Sequence, residues 1–194
     1  MVNSAHGGFD GGAVAEDGTI EKNINLNISL TISKLLKQSG FCVIMTRQAD
    51  VSTDDNEAPE NAFNKRNDLK NRLQLMKDYP EAVFVSIHLN KFTTSAAYGS
   101  QVFYSDNDKA KALGDYIQHS IVRLLQHDNM RVNKKATSST YLLHNATVPA
   151  VLVECGFLSN KEELLKLKDP KYQNQMAFSV YCGILEYYHS EKGI

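Results

Sequence analysis

Cysteine is scarce in this sequence, which has three cysteines in 194 residues. Cys42, Cys155 and Cys182 are scattered along the chain and form no Cys-x-x-Cys pair. This spacing excludes a disulfide framework of the kind that small secreted domains use, and it excludes a zinc site built from cysteines. We therefore expect most or all of the thiols to be buried.

The sequence also has no excess of either charge. Its 21 basic and 22 acidic side chains give a formal net charge of −1. With so little net charge, no overall field would attract the phosphate backbone of a nucleic acid. We predict that nucleic acid is not a partner.

Long apolar runs are absent as well. No run approaches the roughly 18 residues that a membrane span needs, and the N-terminus lacks the basic and apolar regions of a signal peptide. We expect an export segment to be either absent or already removed.

Hydrophobic residues make up 42% and charged residues 22% of the chain, which is typical of an ordinary globular protein. The length and composition predict one domain spanning residues 1–194.

Hydrophobic periodicity predicts strands that alternate with helices. Short apolar stretches predict strands at 41–46, 82–87, 99–104, 140–143 and 151–153. Apolar residues at helical spacing predict helices at 63–77 and 109–126 and a final helix lined by Tyr172, Met176, Val180, Ile184 and Tyr187. Such alternation indicates an α/β sheet covered on both faces. In these sheets, ligands bind at the carboxyl ends of the strands.

Two segments, 22–39 and 50–61, have less regular patterns. Residues 22–39 alternate like a strand, yet they also fit a helical face, are long for a strand and precede Gly40, a common helix stop. We interpret them as a helix. The acidic segment 50–61 predicts a solvated loop, because it lacks the ligand spacing and the central glycine of a calcium loop.

Two histidines and a glutamate are candidate metal ligands. His6 lies in a glycine-rich loop, His88 follows the strand predicted at 82–87, and Glu21 could complete the set. A site with two histidines and one glutamate leaves the fourth position of a tetrahedral zinc ion open for water, which is typical of catalytic rather than structural zinc. The chain therefore predicts metal-assisted hydrolysis. A lone histidine is more often structural, and we interpret the remaining histidines so: His119, His127, His144 and His189.

Glu154 also stands out, because it is an ionisable group at the end of an apolar strand. It is either a solvated edge residue or a general base whose pKa is raised by burial. The neighbouring Cys155 offers a different chemistry, in which a thiolate pairs with His88 or His144. A buried cysteine that packs as a small hydrophobic residue is the simpler interpretation.

Taken together, these segments resemble the zinc-dependent N-acetylmuramoyl-L-alanine amidases of the amidase-3 family. The resemblance covers nearly the whole chain, and within the family it is closest to the germination-specific spore-cortex amidases, through residues 21–30 and Tyr141-Leu-Leu-His144. It depends on a series of ordered motifs: His6-Gly-Gly-x-Asp10-x-Gly12-Ala13, Glu21, Arg66, Ser86-x-His88-x-Asn90, Gly99 and Pro149-Ala-Val-Leu-Val-Glu154-x-Gly156-Phe157-Leu158-Ser159-Asn160.

The resemblance implies a role for each matching residue. His6, Glu21 and His88 become the ligands of Zn²⁺ and Glu154 the catalytic carboxylate, and Asn90 and Arg66 are expected to position substrate or support the site. It also implies a mixed, mostly parallel sheet of about six strands with helices on both faces, and it favours a helix at 22–39. The first strand of the family precedes His6, so here we expect a shortened one.

The implied reaction is cleavage of the amide between the lactyl group of N-acetylmuramic acid and L-alanine in peptidoglycan, with the spore cortex as one setting. Such a substrate requires an extracytoplasmic location. The alternative is a non-catalytic peptidoglycan-binding member of the family with a weakened zinc site. This alternative follows from a departure before His6, where the family usually has an aspartate and a glycine and this chain has Asn3, Ser4 and Ala5.

Overall fold

A computed structural model describes residues 1–54 and 65–192 of the chain. Five strands form its sheet: Val2–Ser4 (β1), Phe84–Asn90 (β2), Gln101–Tyr104 (β3), Lys134–Lys135 (β4) and Ala150–Phe157 (β5). Six helices accompany them in the described part: Glu21–Gln38 (α1), Lys65–Asp78 (α2), Asp108–Leu124 (α3), Tyr141–His144 (α4), Lys161–Lys168 (α5) and Pro170–Lys192 (α6).

The sheet is mixed but mostly parallel, as expected. Its strand order is β1-β2-β5-β3-β4. The β1–β2, β2–β5 and β3–β4 pairs are parallel, and only β3 and β5 are antiparallel. The described residues therefore form an α/β fold with five strands, close to the predicted six.

Helices cover both faces of this sheet, which confirms the predicted layering. Alternate residues of β2 separate the two faces: Val85 and Ile87 belong to the larger core, which also includes side chains of α1, α3 and α6. Phe84 belongs to the smaller core, together with side chains of α2 and α4. The opposite orientation of neighbouring strand residues thus gives each layer of helices its own apolar surface.

The ambiguous segment 22–39 is a helix, and packing decides its conformation. Ile24, Ile28, Ile32 and Leu36 recur at intervals of four and are at most 5% exposed. Their spacing places all four on one face of α1 toward the core. Leu30, which fits the alternating pattern, is 37% exposed. The helical periodicity is therefore the one that the fold buries.

The prediction of a strand at 41–46 is wrong. This segment meets β1 through an isolated bridge between Val2 and Met45 and through backbone hydrogen bonds from Val2 to Ile44 and from Thr46 to Val2. In these contacts the segment pairs only with β1, which has three residues. It therefore has too short a neighbour to form a longer strand. The missing sixth strand is thus reduced to a single bridge.

The strand predicted at 140–143 is also wrong, because Tyr141–His144 forms α4. Leu142 and Leu143 are both buried in the smaller core. A strand would place these neighbours on opposite faces, whereas one helical turn buries both.

Sequence periodicity missed two short elements, α5 and β4. Asn160 caps α5 by accepting hydrogen bonds from the backbone amides of Glu162 and Glu163. The other predicted elements agree with the structure to within a few residues at their ends. Positions 55–64, which include most of the predicted loop and the first two residues of the helix predicted at 63–77, lie outside the described residues. In the described part of the chain, no helix has both the length and the apolar character of a transmembrane span.

Candidate functional site

Three separate elements bring His6, Glu21 and His88 together. His6 follows β1, Glu21 is the first residue of α1, and His88 lies inside β2 rather than beyond its end. One ligand atom from each residue lies within 4.8 Å of the others, and this is the only such metal-ligand cluster among the described residues. The structure thus assembles the predicted ligand set.

Glu21 lies between the two imidazoles. Its Oε1 is 3.1 Å from Nδ1 of His88 and 3.4 Å from Nε2 of His6. Its buried carboxylate also accepts backbone hydrogen bonds from Ala13 at 2.8 Å and Leu89 at 3.0 Å. Burial raises the pKa of Glu21, but the hydrogen bonds with His6 and His88 outweigh it and leave the pKa well below its usual value. Glu21 is therefore an anionic candidate ligand at neutral pH.

The loop that carries His6 has an unusual backbone. His6 has a φ of 60°, the left-handed region that residues other than glycine rarely adopt. Gly12 packs against it, and a Cβ at Gly12 would lie 2.6 Å from both Cδ2 of His6 and Oε2 of Glu21. A glycine is required here because two ligand side chains occupy that space.

Asp10 supplies an acidic partner to His6. Its Oδ2 lies 2.8 Å from Nδ1 of His6, and its Oδ1 accepts a hydrogen bond from the amide of Gly12. Burial lowers the pKa of His6, but the hydrogen bonds with Asp10 and Glu21 raise it to about 9 overall. His6 thus has an acidic partner within its own motif, although Asn3, Ser4 and Ala5 supply none.

Two arginines fix the chain just before the site. Arg72 of α2 donates to the carbonyl oxygens of Ser4 at 2.9 Å and His6 at 3.0 Å. Arg47 donates to those of Ser4 and Ala5, both at 3.1 Å. Sequence reasoning missed both roles. The available signal was Asp68, Arg72 and Met76, which share one face of α2 at intervals of four residues.

Glu154 lies beside His88 across the sheet. The two residues are register partners on the parallel strands β2 and β5, so their side chains leave the same face. Oε2 of Glu154 is buried and has no hydrogen-bond partner among the described residues. Burial and the nearby charge of Glu21 raise the pKa of Glu154 to about 8. The register shifts after His88 and Glu154, and such bulges are common beside active sites.

A cavity of about 230 Å³ opens beside the two imidazoles. It extends between the sheet and the helices α2 and α4. Its apolar lining includes Leu69, Tyr141, Leu142, Leu143 and Leu152. The cavity gives a substrate access to the cluster.

The remaining candidates come from β2, α2, α4 and β5. Asn90 ends β2, two residues after His88. Arg66 is an exposed residue of α2, and His144 is the exposed last residue of α4. Cys155 belongs to the larger core on the opposite face from Glu154, and burial raises the pKa of its thiol. This placement argues against a cysteine nucleophile.

The residues present fit a zinc ion. Two imidazoles and one ionised carboxylate are the donor set of catalytic zinc sites. Glu154 adds an unpartnered buried carboxyl oxygen beside that donor set. The hydrogen bond between Nδ1 of His6 and Asp10 is the kind of contact that orients a zinc-bound histidine.

Comparisons with known proteins agree with the motifs and the geometry. The family model Amidase_3, described as N-acetylmuramoyl-L-alanine amidase, matches residues 1–186. The germination-specific N-acetylmuramoyl-L-alanine amidase of Bacillus subtilis is 35% identical, with 99% of this chain and 80% of that protein covered. The CwlD amidase from Clostridioides difficile, solved in complex with the GerS lipoprotein, has a TM-score of 0.91 and 39% identity over 97% of both chains. AmiC2 of Nostoc punctiforme has a TM-score of 0.82 and 29% identity, over 97% of this chain and 95% of that one. The resemblance inferred from the motifs is confirmed, and the chain belongs to the amidase-3 family of N-acetylmuramoyl-L-alanine amidases.

Proposed function

We propose that this protein is a zinc-dependent peptidoglycan hydrolase that cleaves the amide between the lactyl group of N-acetylmuramic acid and L-alanine. Family membership supports the type of reaction. The observation that carries the mechanism is the position of Glu154, in register with His88 and with a buried, unpartnered carboxyl oxygen beside the ligand cluster. Peptidoglycan lies outside the cytoplasmic membrane, so the proposal includes an extracytoplasmic site of action.

His6, Glu21 and His88 would hold the zinc ion. When bound, zinc supplies a Lewis acid and lowers the pKa of a coordinated water toward about 7. Asp10 accepts a hydrogen bond from Nδ1 of His6, which leaves Nε2 as the nitrogen that faces Glu21. The contact with Asp10 thus fixes the orientation of the ring, with Nε2 directed toward the proposed metal position.

Glu154 would act as the general acid and base. Its raised pKa suits proton transfer near neutral pH. It takes a proton from the attacking water and returns it to the departing amine of L-alanine.

The alternative of a non-catalytic wall-binding protein depended on a missing acid before His6. Asp10 gives His6 an acidic partner at 2.8 Å, which supports the catalytic proposal over the alternative. The germination-specific relative from B. subtilis supports the spore cortex as the setting in which the proposed enzyme acts.

The test measures new amino groups released from purified peptidoglycan. We expect activity in the wild type, loss on chelation and recovery when zinc is added back. Glu154→Gln should reduce the rate by about 100-fold or more, because the variant cannot accept the proton. Glu162→Gln changes an exposed carboxylate of α5 and should leave the rate unchanged. Full activity in both the chelated protein and Glu154→Gln would refute the mechanism, whereas peptidoglycan binding without hydrolysis would support the alternative.

A further inference from the structure

A second strand neighbour of Glu154 extends the site away from the zinc ligands. Gln101 of β3 is the register partner of Glu154 on the side opposite His88. Register partners project from the same face of a sheet, with Cβ atoms about 5 Å apart. His88, Glu154 and Gln101 therefore form a row across β2, β5 and β3.

Arg131 is fixed at the end of this row. Its Nη1 donates to Oε1 of Gln101 at 3.0 Å, and its Nε donates to the carbonyl oxygen of Tyr98 at 2.6 Å. Its guanidinium carbon lies 4.8 Å from the centre of the Phe157 ring. These contacts from three directions hold the planar group in one orientation.

Arg131 forms no direct ion pair with an acidic side chain of the described residues, although its charge offsets part of the rise in the pKa of the nearby Glu163. None of their ion pairs includes Arg131, and its Nη2 makes no hydrogen bond to any of them. Arg72 and Arg123 differ, because they pair with Asp68 and Glu186. A guanidinium that is oriented but unpaired is suited to bind a carboxylate through two parallel hydrogen bonds.

We infer that Arg131 binds a free carboxylate of the stem peptide and so determines which side of Glu154 the peptide occupies. This inference depends on the proposed function. In the intact substrate the lactyl carboxyl is consumed in the amide bond, so the carboxylates lie on the peptide and not on the glycan. On the His88 side of Glu154 lies the cavity beside the two imidazoles. Its two cationic side chains, Lys65 and Arg72, already pair with carboxylates and are less available to an anion.

The test compares two muramyl peptides that are identical except that the peptide carboxylates are free in one and amidated in the other. Wild-type enzyme should have a KM about tenfold lower for the free acid, as expected for a hydrogen bond to a charged group. Arg131→Gln should raise the KM for the acid to that of the amide, with kcat nearly unchanged. The KM for the amide should change much less than the KM for the acid. Arg123→Gln, which removes an arginine between α3 and α6, is the matched control and should keep the preference.

Binding to the Glu154→Gln background separates this inference from the proposed function, since that measurement needs no turnover. A preference for the acid that disappears on adding Arg131→Gln would support the inference, even if the wild type cleaves neither compound and the proposed function fails. An equal acid and amide affinity in the Glu154→Gln protein would overturn it. If Arg131→Gln lowered the affinity for both compounds by the same factor, the inference would also be overturned, because the residue would then have a structural role.

Discussion

At the scale of single residues, the site is organised around Glu21. This carboxylate contacts both imidazoles and accepts backbone hydrogen bonds from two separate segments. It also lies at the N-terminus of α1, where the helix dipole favours a negative charge. One side chain thus links the glycine-rich loop, the first helix and the central strand.

Sequence motifs supplied the candidate ligands but not the arginines that fix the chain beside them. His6, Glu21, His88 and Glu154 occupy recognisable positions in ordered motifs, and the structure brings them to one place. Arg47 belongs to no such motif. Its role depends on carbonyl oxygens of Ser4 and Ala5, and backbone acceptors leave no signal in the identity of a residue.

Replacing Asp10 by Asn should weaken zinc binding by about 10-fold to 100-fold, because the charged acceptor for Nδ1 of His6 is lost while the size of the side chain is kept. Competition with a chelator of known affinity measures the change. Asp17→Asn is the control, since Asp17 pairs with Lys168 at the surface. Equal zinc affinities of Asp10→Asn and the wild type would contradict the role assigned to Asp10.

At the scale of elements, local periodicity succeeded wherever an element has a long contact with the core. The helices α1, α3 and α6 supply side chains to the larger core, and all three were predicted. Segment 41–46 and α4 were assigned wrongly because each depends on a tertiary neighbour. The former has only the short β1 beside it, and the latter is a single turn against the smaller core.

Arg72 attaches helix α2 to the loop that carries His6, and a buried ion pair with Asp68 of the same helix holds its guanidinium in place. Arg72 and Asp68 lie 2.8 Å apart with side chains that are 2% and 6% exposed. Arg72→Met should lower the free energy of unfolding by about 3–5 kcal/mol, because Asp68 would remain buried without its partner. Urea unfolding monitored by circular dichroism measures this change. Arg123→Met removes a more exposed pair and should cost about 1 kcal/mol or less.

The effect of Arg72→Met should depend on pH in a defined direction. Burial raises the pKa of Asp68, but hydrogen bonding to Arg72 outweighs it and lowers the pKa below 3.8. A lowered carboxyl pKa stabilises the folded state above the unfolded value, and the contribution is lost as the pH falls. The difference in the free energy of unfolding between the wild type and Arg72→Met should therefore become smaller below about pH 4. A difference that stays constant from pH 7 to pH 3 would contradict the assignment.

At the scale of the whole molecule, the fold class could be inferred because strands and helices alternate along the sequence. The order of the strands could not, since β5 lies between β2 and β3 in the sheet and no local pattern encodes that placement. The same order creates the site, because it sets Glu154 beside His88. Family resemblance indicated that His88 and Glu154 belong to one site, and periodicity alone could not indicate this.

Zinc should stabilise the whole fold, because its three ligands come from a loop, a helix and a strand that are distant in the sequence. At a free zinc concentration of 100 times Kd, the gain is about 2.7 kcal/mol. For a chain of this size, that gain corresponds to a rise in Tm of roughly 5–10 °C. Thermal unfolding with zinc and with a chelator measures it. His88→Ala, which removes one ligand, should lose most of the shift, and an equal rise in both proteins would exclude the cluster as the zinc site.

Glu154 and Cys155 are adjacent in β5 yet face opposite sides of the sheet, one toward the ligand cluster and the other in the core. A shift of one residue between β2 and β5 would exchange them and present a thiol where the carboxylate belongs. Insertions and deletions of one residue before Glu154 within β5 are therefore far more harmful than most substitutions there. The chemistry of this protein therefore depends on which alternate residues of β5 face the ligand cluster.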